Sequence, residues 1–351
     1  MENERTQPAR RHRVFNNPRA LAEGWYPVCA AKTLRSNKPV SFKLLGQRLA
    51  VFRDAQGRPR ALDAFCPHMG ADLANGSVDG GGLRCFFHGW RFGGDGCLDR
   101  ASCGEAPAGD VRLNSYPCEE KYGHVWVYAA REAPGGVPSP AGLEGESVSV
   151  LRESSALLAH HHLMMANGID LRHFGSVHGL PVAFEHRVVE RGGGVFDWEV
   201  EGAIRGEGLL KKIIGPKLGY VARFAGGSWV AVTYLPDHRV LPALHIVWGC
   251  EPLESGVSRV RVFLVAKKRP GLLGRLAEWS LLAVTAVLLH MLKDDDRKGF
   301  ANMRYSLGRL TPADASVAQF VRRIDELPLS PWSPELPDRE DQPSSEARPC
   351  P

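Results

Sequence analysis

Short runs of alternating hydrophobic and polar residues dominate the first third of the chain. Two of them, at residues 40–44 and 49–52, lie between turn-forming residues, and a third occupies residues 125–128. Alternation with a period of two is typical of β-strands that bury one face. The pattern therefore predicts a small antiparallel β-domain over residues 19–129.

Similar alternation returns later, at residues 188–200, 219–234 and 258–266. These segments predict a second, larger antiparallel sheet within a domain of residues 146–330. Residues 130–145 are rich in Pro, Gly and Ala and lack periodicity, which predicts a linker. A length of 351 residues suits this division into two domains.

The two ends of the chain, residues 1–18 and 331–351, are polar and rich in Pro or Arg, which predicts mobile tails. The net charge of +5 is mild, and the hydrophobic content of 44% is ordinary for a globular protein. Neither a nucleic-acid-binding pattern nor a secretory signal is evident. These features favour a cytoplasmic protein and argue against a nucleic-acid partner.

One nearly apolar run, residues 279–292, includes His290 and is too short to cross a membrane. It predicts a buried helix over residues 276–292. A surface helix that faces lipid is the alternative, which leaves peripheral membrane association open.

Two short motifs carry the most specific chemistry of the chain. Cys66 and His68 are separated by one residue, Cys85 and His88 by two, and a glycine soon follows each histidine. Two thiolates on one iron and two imidazoles on the other form a Rieske [2Fe–2S] cluster. A Cys2His2 zinc site is the alternative, but zinc fingers usually pair cysteine with cysteine. The motifs therefore predict a Rieske cluster held by these four residues.

The other six cysteines show no metal-binding spacing and are predicted to be reduced, mostly buried thiols. They are Cys29, Cys97, Cys103, Cys118, Cys250 and Cys350. Respiratory Rieske proteins carry two further cysteines at the positions that here hold Ala71 and Phe87. The cluster therefore resembles those of cytosolic oxygenases and soluble ferredoxins.

A second metal site is indicated by Asp170, His173 and His178. Asp170 and His173 are three residues apart, so they would share one face of a helix. Gly175 can end that helix and let His178 turn back toward His173. Two histidines and one carboxylate form the facial triad of non-haem Fe(II) oxygenases, so a carboxylate must complete the site.

Asp294, Asp295 and Asp296, at the end of the apolar segment, are the candidates for that carboxylate. Helical periodicity separates them, because only Asp296 falls on a stripe that is otherwise apolar. A carboxylate on a buried stripe needs a counter-charge, which an iron ion supplies. Asp296 is therefore predicted as the ligand beside the two histidines. The stripe consists of Leu289, Leu292, Asp296, Phe300, Met303 and Leu307.

The strings LDAFCPHMGADL, CFFHGWRFGGDGC and ANGIDLRHFGSVHG resemble the oxygenase component of the Rieske non-haem iron oxygenases. In motif detail they are most similar to the 3-ketosteroid 9-alpha-hydroxylase and cholesterol 7-desaturase subgroup. The resemblance covers about residues 24–327. It implies an α+β chain, in which an antiparallel β Rieske domain precedes a helix-grip (START-like) antiparallel sheet with long C-terminal helices. The chain departs from the subgroup at Gly299 and Phe300, where an aliphatic–aromatic pair is usual.

The same resemblance implies a head-to-tail homotrimer, in which the cluster of one subunit faces the iron of the next. Asp170 would bridge His68 or His88 of one subunit and His173 of its neighbour. It would then carry electrons between subunits and would not bind iron. Asn167, within the iron motif, is a further candidate catalytic residue near the iron.

Together these expectations predict a terminal monooxygenase that uses O2 and electrons to oxidise a hydrophobic substrate. The sequence contains no dinucleotide-binding GxGxxG unit and no flavin domain, so an external ferredoxin or flavin reductase should supply electrons from NAD(P)H. The expected substrate is a steroid, a sterol or another polycyclic isoprenoid, to be hydroxylated, desaturated or demethylated. The alternatives are an aromatic or heterocyclic substrate, including O-demethylation, and a non-catalytic Rieske redox protein.

Three consecutive histidines, His160, His161 and His162, suggest a further metal site. Their side chains would alternate between the two sides of a predicted strand. They are therefore not expected to converge on a metal.

Overall fold

A computed structural model gives the structure of most of the chain. The residues that it describes are 12–35, 37–101, 107, 109–157, 159–179, 182–204, 216–236, 242–253, 256–303 and 307–333.

The first domain is built from short antiparallel strands. In chain order they are β1 (Trp25–Ala30), β2 (Val40–Leu44), β3 (Gln47–Arg53), β4 (Pro59–Asp63), β5 (Ser77–Asp79), β6 (Gly82–Arg84), β7 (Arg91–Phe92), β8 (Leu98–Arg100), β9 (Ser115–Tyr116), β10 (Cys118–Lys121) and β11 (His124–Tyr128). Three sheets result, with the strand orders β1-β11-β10, β2-β3-β4-β9 and β5-β6-β7-β8. This arrangement confirms the predicted antiparallel β-domain.

Strand β3 lies between two hydrophobic cores, and its sequence reflects this position. Leu49 and Val51 pack into one core, whereas Ala50 and Phe52 pack into the other. Successive side chains of a strand point to opposite faces, so a strand that is buried on both faces reads as a continuous apolar run. The second of these cores also contains Cys66 and therefore supports the loops that carry the cluster motifs.

The second domain contains one large antiparallel sheet. Its strands are β12 (Val148–Leu157), β13 (Val182–Gly192), β14 (Val195–Ile204), β15 (Lys217–Ala225), β16 (Trp229–Pro236), β17 (Leu244–Pro252) and β18 (Ser258–Lys267). They are ordered β12-β18-β17-β16-β15-β14-β13. The chain therefore crosses from one edge of the sheet to the other between β12 and β13, and this crossover carries the second metal-binding motif.

Four α-helices accompany this sheet among the described residues. They are α1 (His161–Asn167), α2 (His173–Ser176), α3 (Gly271–Asn302) and α4 (Ala315–Asp325). Helices α1 and α2 lie in the crossover, and α3 packs against β12, β17 and β18. The large antiparallel sheet with helices after it confirms the predicted α+β fold class.

Both faces of the large sheet are covered, as β18 illustrates. Val262 and Leu264 pack with Leu289 of α3, whereas Phe263 on the opposite face packs against Trp126 of the first domain. Residues 130–145, predicted as a linker, contain no helix or strand. Val137 of this segment is nevertheless buried in the same core as Trp126 and Phe263, so the segment is packed between the two domains.

The mobility predicted for residues 1–18 and 331–351 can be compared with the structure only at residues 12–18 and 331–333. Residues 1–11 and 334–351 lie outside the described residues. Phe15 is buried and stacks on His162 at a centroid distance of 5.6 Å, and its amide donates to Asp325 Oδ1 at 2.8 Å. Trp332 is also buried. The prediction of mobility is therefore wrong for these stretches, because their few apolar side chains find places in the core.

The prediction for the apolar segment is wrong in part. The helix is longer than residues 276–292, because α3 spans Gly271–Asn302, and many of its apolar side chains are exposed. By length and composition alone, its stretch Gly271–Phe300 could cross a membrane. Only 17% of its most apolar window is buried inside the protein. A fully buried helix is therefore excluded, and the alternative of a surface helix remains.

The three consecutive histidines lie on a helix, which corrects the predicted strand. His160 caps α1, and His161 and His162 form its first turn, so the three rings converge instead of alternating. Both ring nitrogens of His161 are occupied, since Nδ1 lies 2.9 Å from Ser258 Oγ and Nε2 donates to the Gly227 carbonyl at 2.8 Å. These hydrogen bonds join α1 to the sheet and leave no free nitrogen on His161 for a metal.

A buried histidine at the domain boundary gives a testable stability prediction. His124 is 6% exposed, and neither of its ring nitrogens has a hydrogen-bond partner among the described residues. Its ring packs edge-on against Phe263 at 5.4 Å. Burial, followed by the nearby Arg261 and Arg152, lowers the pKa of His124 to about 3.

We expect the substitution His124→Phe to stabilise the protein, and more so in acid. At neutral pH it removes two unpaired buried nitrogens, worth about 1–3 kcal/mol. Below the unfolded pKa of about 6.5 the unfolded chain gains a proton at His124 that the folded chain does not, so the advantage of phenylalanine grows by about 1.4 kcal/mol at about pH 5.5. Urea unfolding at both pH values measures this, with the exposed His186 changed to Phe as the control. A gain that does not depend on pH would contradict the assignment.

Candidate metal centres

The two cluster motifs form loops with the same hydrogen-bond pattern. The amide of Cys66 donates to the Ala71 carbonyl at 2.9 Å, and the amide of Gly70 donates back to the Cys66 carbonyl at 2.8 Å. In the second loop the corresponding bonds run from Cys85 to Trp90 at 2.8 Å and from Gly89 to Cys85 at 3.1 Å. Each loop thus turns its cysteine and histidine toward the same point.

The glycine in each loop is needed for its backbone conformation. Gly70 has φ +72° and Gly89 has φ +70°. This left-handed region is accessible to glycine without the steric penalty that a Cβ imposes. The structure therefore explains why a glycine follows each histidine in the sequence.

The four predicted cluster ligands face one another. The rings of His68 and His88 are 4.6 Å apart between centroids, and the thiols of Cys66 and Cys85 are within hydrogen-bonding distance. Both cysteines are buried, and burial raises the pKa of the Cys66 thiol to about 11. A buried thiol with a raised pKa ionises only beside a strong positive charge, which a bound metal supplies. Two sulfurs and two imidazoles around one point therefore fit a [2Fe–2S] cluster.

The histidine side of this centre is open to solvent, whereas the cysteine side is buried. His68 is exposed and stacks on Trp90 at 4.6 Å with an interplanar angle of 8°. Met69, Phe86 and Phe87 beside it are more than half exposed. An apolar rim around one exposed and one half-buried imidazole suits contact with another protein.

One cysteine departs from the predicted state. Cys29, Cys118 and Cys250 are free thiols, as expected, but Cys97 is disulfide-bonded. Its bonding partner lies outside the described residues, as do Cys103 and Cys350. The prediction of reduced thiols is therefore wrong at Cys97, because sequence spacing does not determine which side chains the fold brings within bonding distance.

The second predicted metal site is assembled from the crossover and α3. Nε2 of His178 lies 3.2 Å from Oδ1 of Asp296, and Nε2 of His173 lies 3.9 Å from the same oxygen. One donor atom from each of the three residues lies within 4.8 Å of the others. The histidine side chains are 9% and 4% exposed, and that of Asp296 is 24% exposed. A largely buried pair of imidazoles with one carboxylate fits a mononuclear iron.

Asp295 is held differently from Asp296. Its carboxylate accepts from Lys298 Nζ at 3.1 Å, and its side chain is 45% exposed. Leu289 and Phe300 of the predicted stripe are buried, which agrees with the inward position of Asp296. Met303 is 48% exposed because α3 ends at Asn302, so the stripe does not continue beyond the helix.

The local structure around His173 corrects one step of the sequence reasoning. Asp170 does not share a helix with His173, because α1 ends at Asn167 and α2 begins at His173. Instead, Asp170 Oδ1 accepts from the amides of Arg172 at 3.1 Å and His173 at 3.4 Å. Asp170 therefore caps the turn that begins α2. Gly175 lies inside α2 and does not end it.

The backbone fixes the orientation of the His173 ring. Nδ1–H of His173 donates to the Asp170 carbonyl at 2.5 Å, which leaves Nε2 as the unprotonated ring nitrogen, and this atom faces Asp296. A backbone carbonyl in this position is a common outer partner of metal-binding histidines and selects the tautomer that can bind. The Asn167 side-chain amide donates to the same Nε2 at 3.3 Å.

An apolar cavity opens beside the three metal-site residues. Two tyrosines near it were not predicted from the sequence. Burial, followed by Asp296, raises the pKa of Tyr234 to about 12, so its hydroxyl keeps its proton. Tyr220 donates to the Gly168 carbonyl at 2.8 Å and so supports the crossover. The walls include Leu157, Met164, Phe174, Phe224, Val232, Tyr234, Trp248, Val262, Leu289, Lys293, Arg297 and Phe300.

No sequence signal marks these wall residues, because they come from eight separate helices and strands. Their alternation in the strands predicts burial but not which buried positions border a cavity. The arrangement provides a mostly apolar cavity with a cation site at one side.

Comparison with known proteins agrees with this geometry. The family model described as Rieske [2Fe-2S] domain matches residues 24–117. The 3-ketosteroid-9-alpha-monooxygenase oxygenase component of Rhodococcus rhodochrous is 36% identical over 121 residues, which are 34% of this chain and 31% of that protein. Cholesterol 7-desaturase nvd of Bombyx mori is 32% identical over 166 residues, or 46% of this chain and 36% of that protein. The matches thus span only about a third of the length of these relatives.

Solved structures share the fold over most of the chain. Dicamba monooxygenase bound to dicamba has a TM-score of 0.57 at 19% identity and matches 88% of this chain and 97% of its own. NdmA of Pseudomonas putida CBB5 with caffeine has a TM-score of 0.63 at 16% identity, with 86% and 90% covered.

These findings confirm the predicted cluster domain, the fold class and the resemblance found in the sequence. Together with the convergent His173, His178 and Asp296, they support both predicted cofactors, the [2Fe–2S] cluster and the mononuclear iron. The roles of Asn167 and Asp170 stay predictions.

Proposed function

We propose that this chain, a Rieske-domain protein with the fold of the Rieske oxygenases, is the oxygenase component of a monooxygenase system. The observation that carries the proposal is the convergence of His173, His178 and Asp296 beside an apolar cavity in a chain that also holds a Rieske domain. A non-catalytic Rieske redox protein has no need for this second, intact donor set.

Two separate sets of residues would bind the two metal centres. Cys66, His68, Cys85 and His88 would hold the cluster, and His173, His178 and Asp296 would hold the iron. When bound, the two cofactors would supply electrons and an open coordination site for O2, so that R–H, O2, two electrons and two protons give R–OH and water.

The cavity walls would bind the substrate and exclude bulk water. Phe224, Val232, Trp248 and Val262 offer apolar contacts to a hydrophobic molecule. Tyr234, whose pKa is raised to about 12 by burial and by Asp296, stays protonated and offers a hydroxyl donor beside the site. The chamber thus favours an apolar compound with few polar groups.

We propose a steroid, a sterol or another polycyclic isoprenoid as the substrate class. Support comes from relatives that are named for 3-ketosteroid and cholesterol oxidation and from the apolar walls. An aromatic substrate is the second candidate, since a 3-chlorobenzoate-3,4-dioxygenase oxygenase subunit of Comamonas testosteroni is 39% identical over 112 residues, or 31% of this chain and 26% of that protein.

The proposed electron donor is an external ferredoxin or flavin reductase that docks at the exposed side of His68 and His88. The proposed assembly is a cytoplasmic homotrimer in which Asp170 links the cluster histidines of one subunit to His173 of the next. The position of Asp170 supports this role, because its carboxylate accepts a hydrogen bond from the His173 amide although it lies three residues before His173 in the sequence.

The test has two steps. The protein is first reconstituted with iron and sulfide under anaerobic conditions, and turnover is then started with a ferredoxin, its reductase, NADPH and isotopically labelled O2. Reduced protein should give the EPR spectrum of a Rieske cluster. A sterol and steroid panel should yield products that carry one labelled oxygen atom, and an aromatic panel should not. Labelled products from the aromatic panel alone would transfer the proposal to the second candidate. A colourless protein that binds only zinc would refute both.

The matched control is Cys66→Ser. This variant should lose the Rieske spectrum and all labelled product while its mononuclear iron remains. Labelled product from the variant would show that the cluster is not the electron source.

A further inference from the structure

Helix α3 exposes a continuous apolar face that the proposed oxygenase function does not use. Leu273 is 82% exposed and Val287 is 60% exposed, and Leu272, Leu276 and Trp279 between and beside them are also more than half exposed. At 100° per residue these side chains fall on one side of the helix. Soluble proteins rarely leave so many large apolar side chains together in water.

The opposite face of α3 is packed against the protein. Leu282, Thr285 and Leu289 are buried, and the two leucines belong to a core shared with β17 and β18. Farther along the same face, Asp296 meets the two metal-site histidines. The helix therefore cannot cross a bilayer without dismantling the metal site, so its exposed face can meet lipid only along a surface.

Positive charge flanks the apolar face. Lys267, Lys268, Arg269 and Arg275 lie at the start of α3 or just before it, and all four are exposed. Lys267 pairs with Glu146 at 2.6 Å, whereas the described residues provide no ion pair for the other three side chains.

Negative charge is sparse on the same surface, where Glu146 is already paired with Lys267. The sequence from 267 to 293 contains one acidic residue, Glu278. Glu278 is buried and accepts hydrogen bonds from Ser149 Oγ and the Arg269 amide. The exposed side chains of this segment therefore include no carboxylate.

We propose that the N-terminal half of α3 docks the protein on a bilayer that contains anionic lipids. Basic side chains would meet the phosphate headgroups, the leucines would enter the boundary with the acyl chains, and Trp279 would lie at the interface between them. A second copy of the chain is a poorer occupant. A two-fold contact would place this patch against itself and provide no carboxylate for Lys268, Arg269 and Arg275 beyond Glu146, which already pairs with Lys267.

The test is flotation of the full-length holoprotein with vesicles of phosphatidylcholine, with or without phosphatidylglycerol. We expect binding to the anionic vesicles that weakens with added salt. Lys268→Glu combined with Arg269→Glu should lower the partition coefficient about tenfold or more. Leu273→Gln, Leu276→Gln and Trp279→Gln together should lower it about a hundredfold. Lys32→Glu and Leu310→Gln, which change exposed residues elsewhere, serve as matched controls and should bind like the wild type.

Two outcomes would overturn the proposal. One is that the wild type and the variants bind both vesicle types equally well, or that none of them binds either type. The other combines two results: the wild type does not bind vesicles, and the apolar triple variant has a lower oligomer mass in light scattering than the wild type. This combination would assign the face to contact with a second copy of the chain. The retained Rieske EPR spectrum verifies that each variant is folded. Because flotation requires no turnover, its result is independent of the proposed oxygenase activity.

Discussion

Asp296→Ala should abolish oxygenation and remove the mononuclear iron while the Rieske cluster stays intact and reducible. The reason is geometric, since Asp296 Oδ1 lies 3.2 Å and 3.9 Å from Nε2 of His178 and His173. Without this carboxylate, two neutral imidazoles are left to hold a divalent cation in a largely apolar site. Iron content after reconstitution should fall by about one third, because the cluster keeps its two irons. Substrate oxidation should fall by more than about a hundredfold, which exceeds the usual effect of losing an outer-shell partner.

Asp295→Ala is the matched control for this variant. Asp295 lies on the next position of the same helix but pairs with the exposed Lys298. Its loss should change stability by about 0.5 kcal/mol or less and leave iron content and turnover at wild-type levels. If Asp295→Ala lost the iron and Asp296→Ala retained it, the position of α3 against the crossover would be wrong.

The choice of Asp296 from the sequence depended on helical periodicity alone. Leu289 lies seven residues before Asp296 and Phe300 lies four residues after it, on the same stripe of the helix. Both are buried, so Asp296 between them also faces inward. The pattern was informative here because one side of the helix has to pack against the sheet. It failed at Met303, which follows the last helical residue, since periodicity does not indicate where a helix stops.

The geometry before His173 could not be predicted in the same way. A separation of three residues places Asp170 and His173 on one face only if a helix joins them, and the chain instead makes a turn at this point. The turn lets the Asp170 carbonyl accept from His173 Nδ1 and lets the carboxylate cap the turn by accepting from the amides of Arg172 and His173. Such side-chain caps compete with helix continuation and depend on local backbone geometry.

Contacts between residues that are far apart in the chain could not be predicted from the sequence either. The polar stretch before residue 18 holds Phe15, which stacks on His162. The amide of the next residue, Asn16, donates to Nδ1 of the same histidine, 146 positions along the chain. The three histidines read as a strand because no helix cap was recognised at His160, yet its imidazole accepts from the His162 amide at 3.3 Å. In both places contacts between distant segments decide the structure, and no local pattern reports them.

Asp170→Asn should leave both metal centres loaded and slow turnover by about a hundredfold or more. Asparagine can still accept from the amides of Arg172 and His173 through its side-chain oxygen, so the start of α2 should persist. The carbonyl that holds His173 Nδ1 belongs to the backbone and is unchanged by the substitution. What the variant loses is the negative charge that the proposed bridge needs to hold two imidazoles in their paired protonation states.

The measurement is the rate at which O2 and substrate oxidise a pre-reduced cluster in a single turnover, with iron content determined on the same sample. In Asp170→Asn the cluster should stay reduced long after the wild-type cluster is oxidised, although reduction by the external donor proceeds normally. Asp170→Ala provides the comparison, because it removes the cap as well as the charge and should additionally lower thermal stability by about 1 kcal/mol. Loss of the mononuclear iron from Asp170→Asn, with normal electron transfer in the molecules that keep it, would make Asp170 a part of the iron site. Wild-type oxidation rates in both variants would mean that electrons reach His173 by a route that does not include this carboxylate.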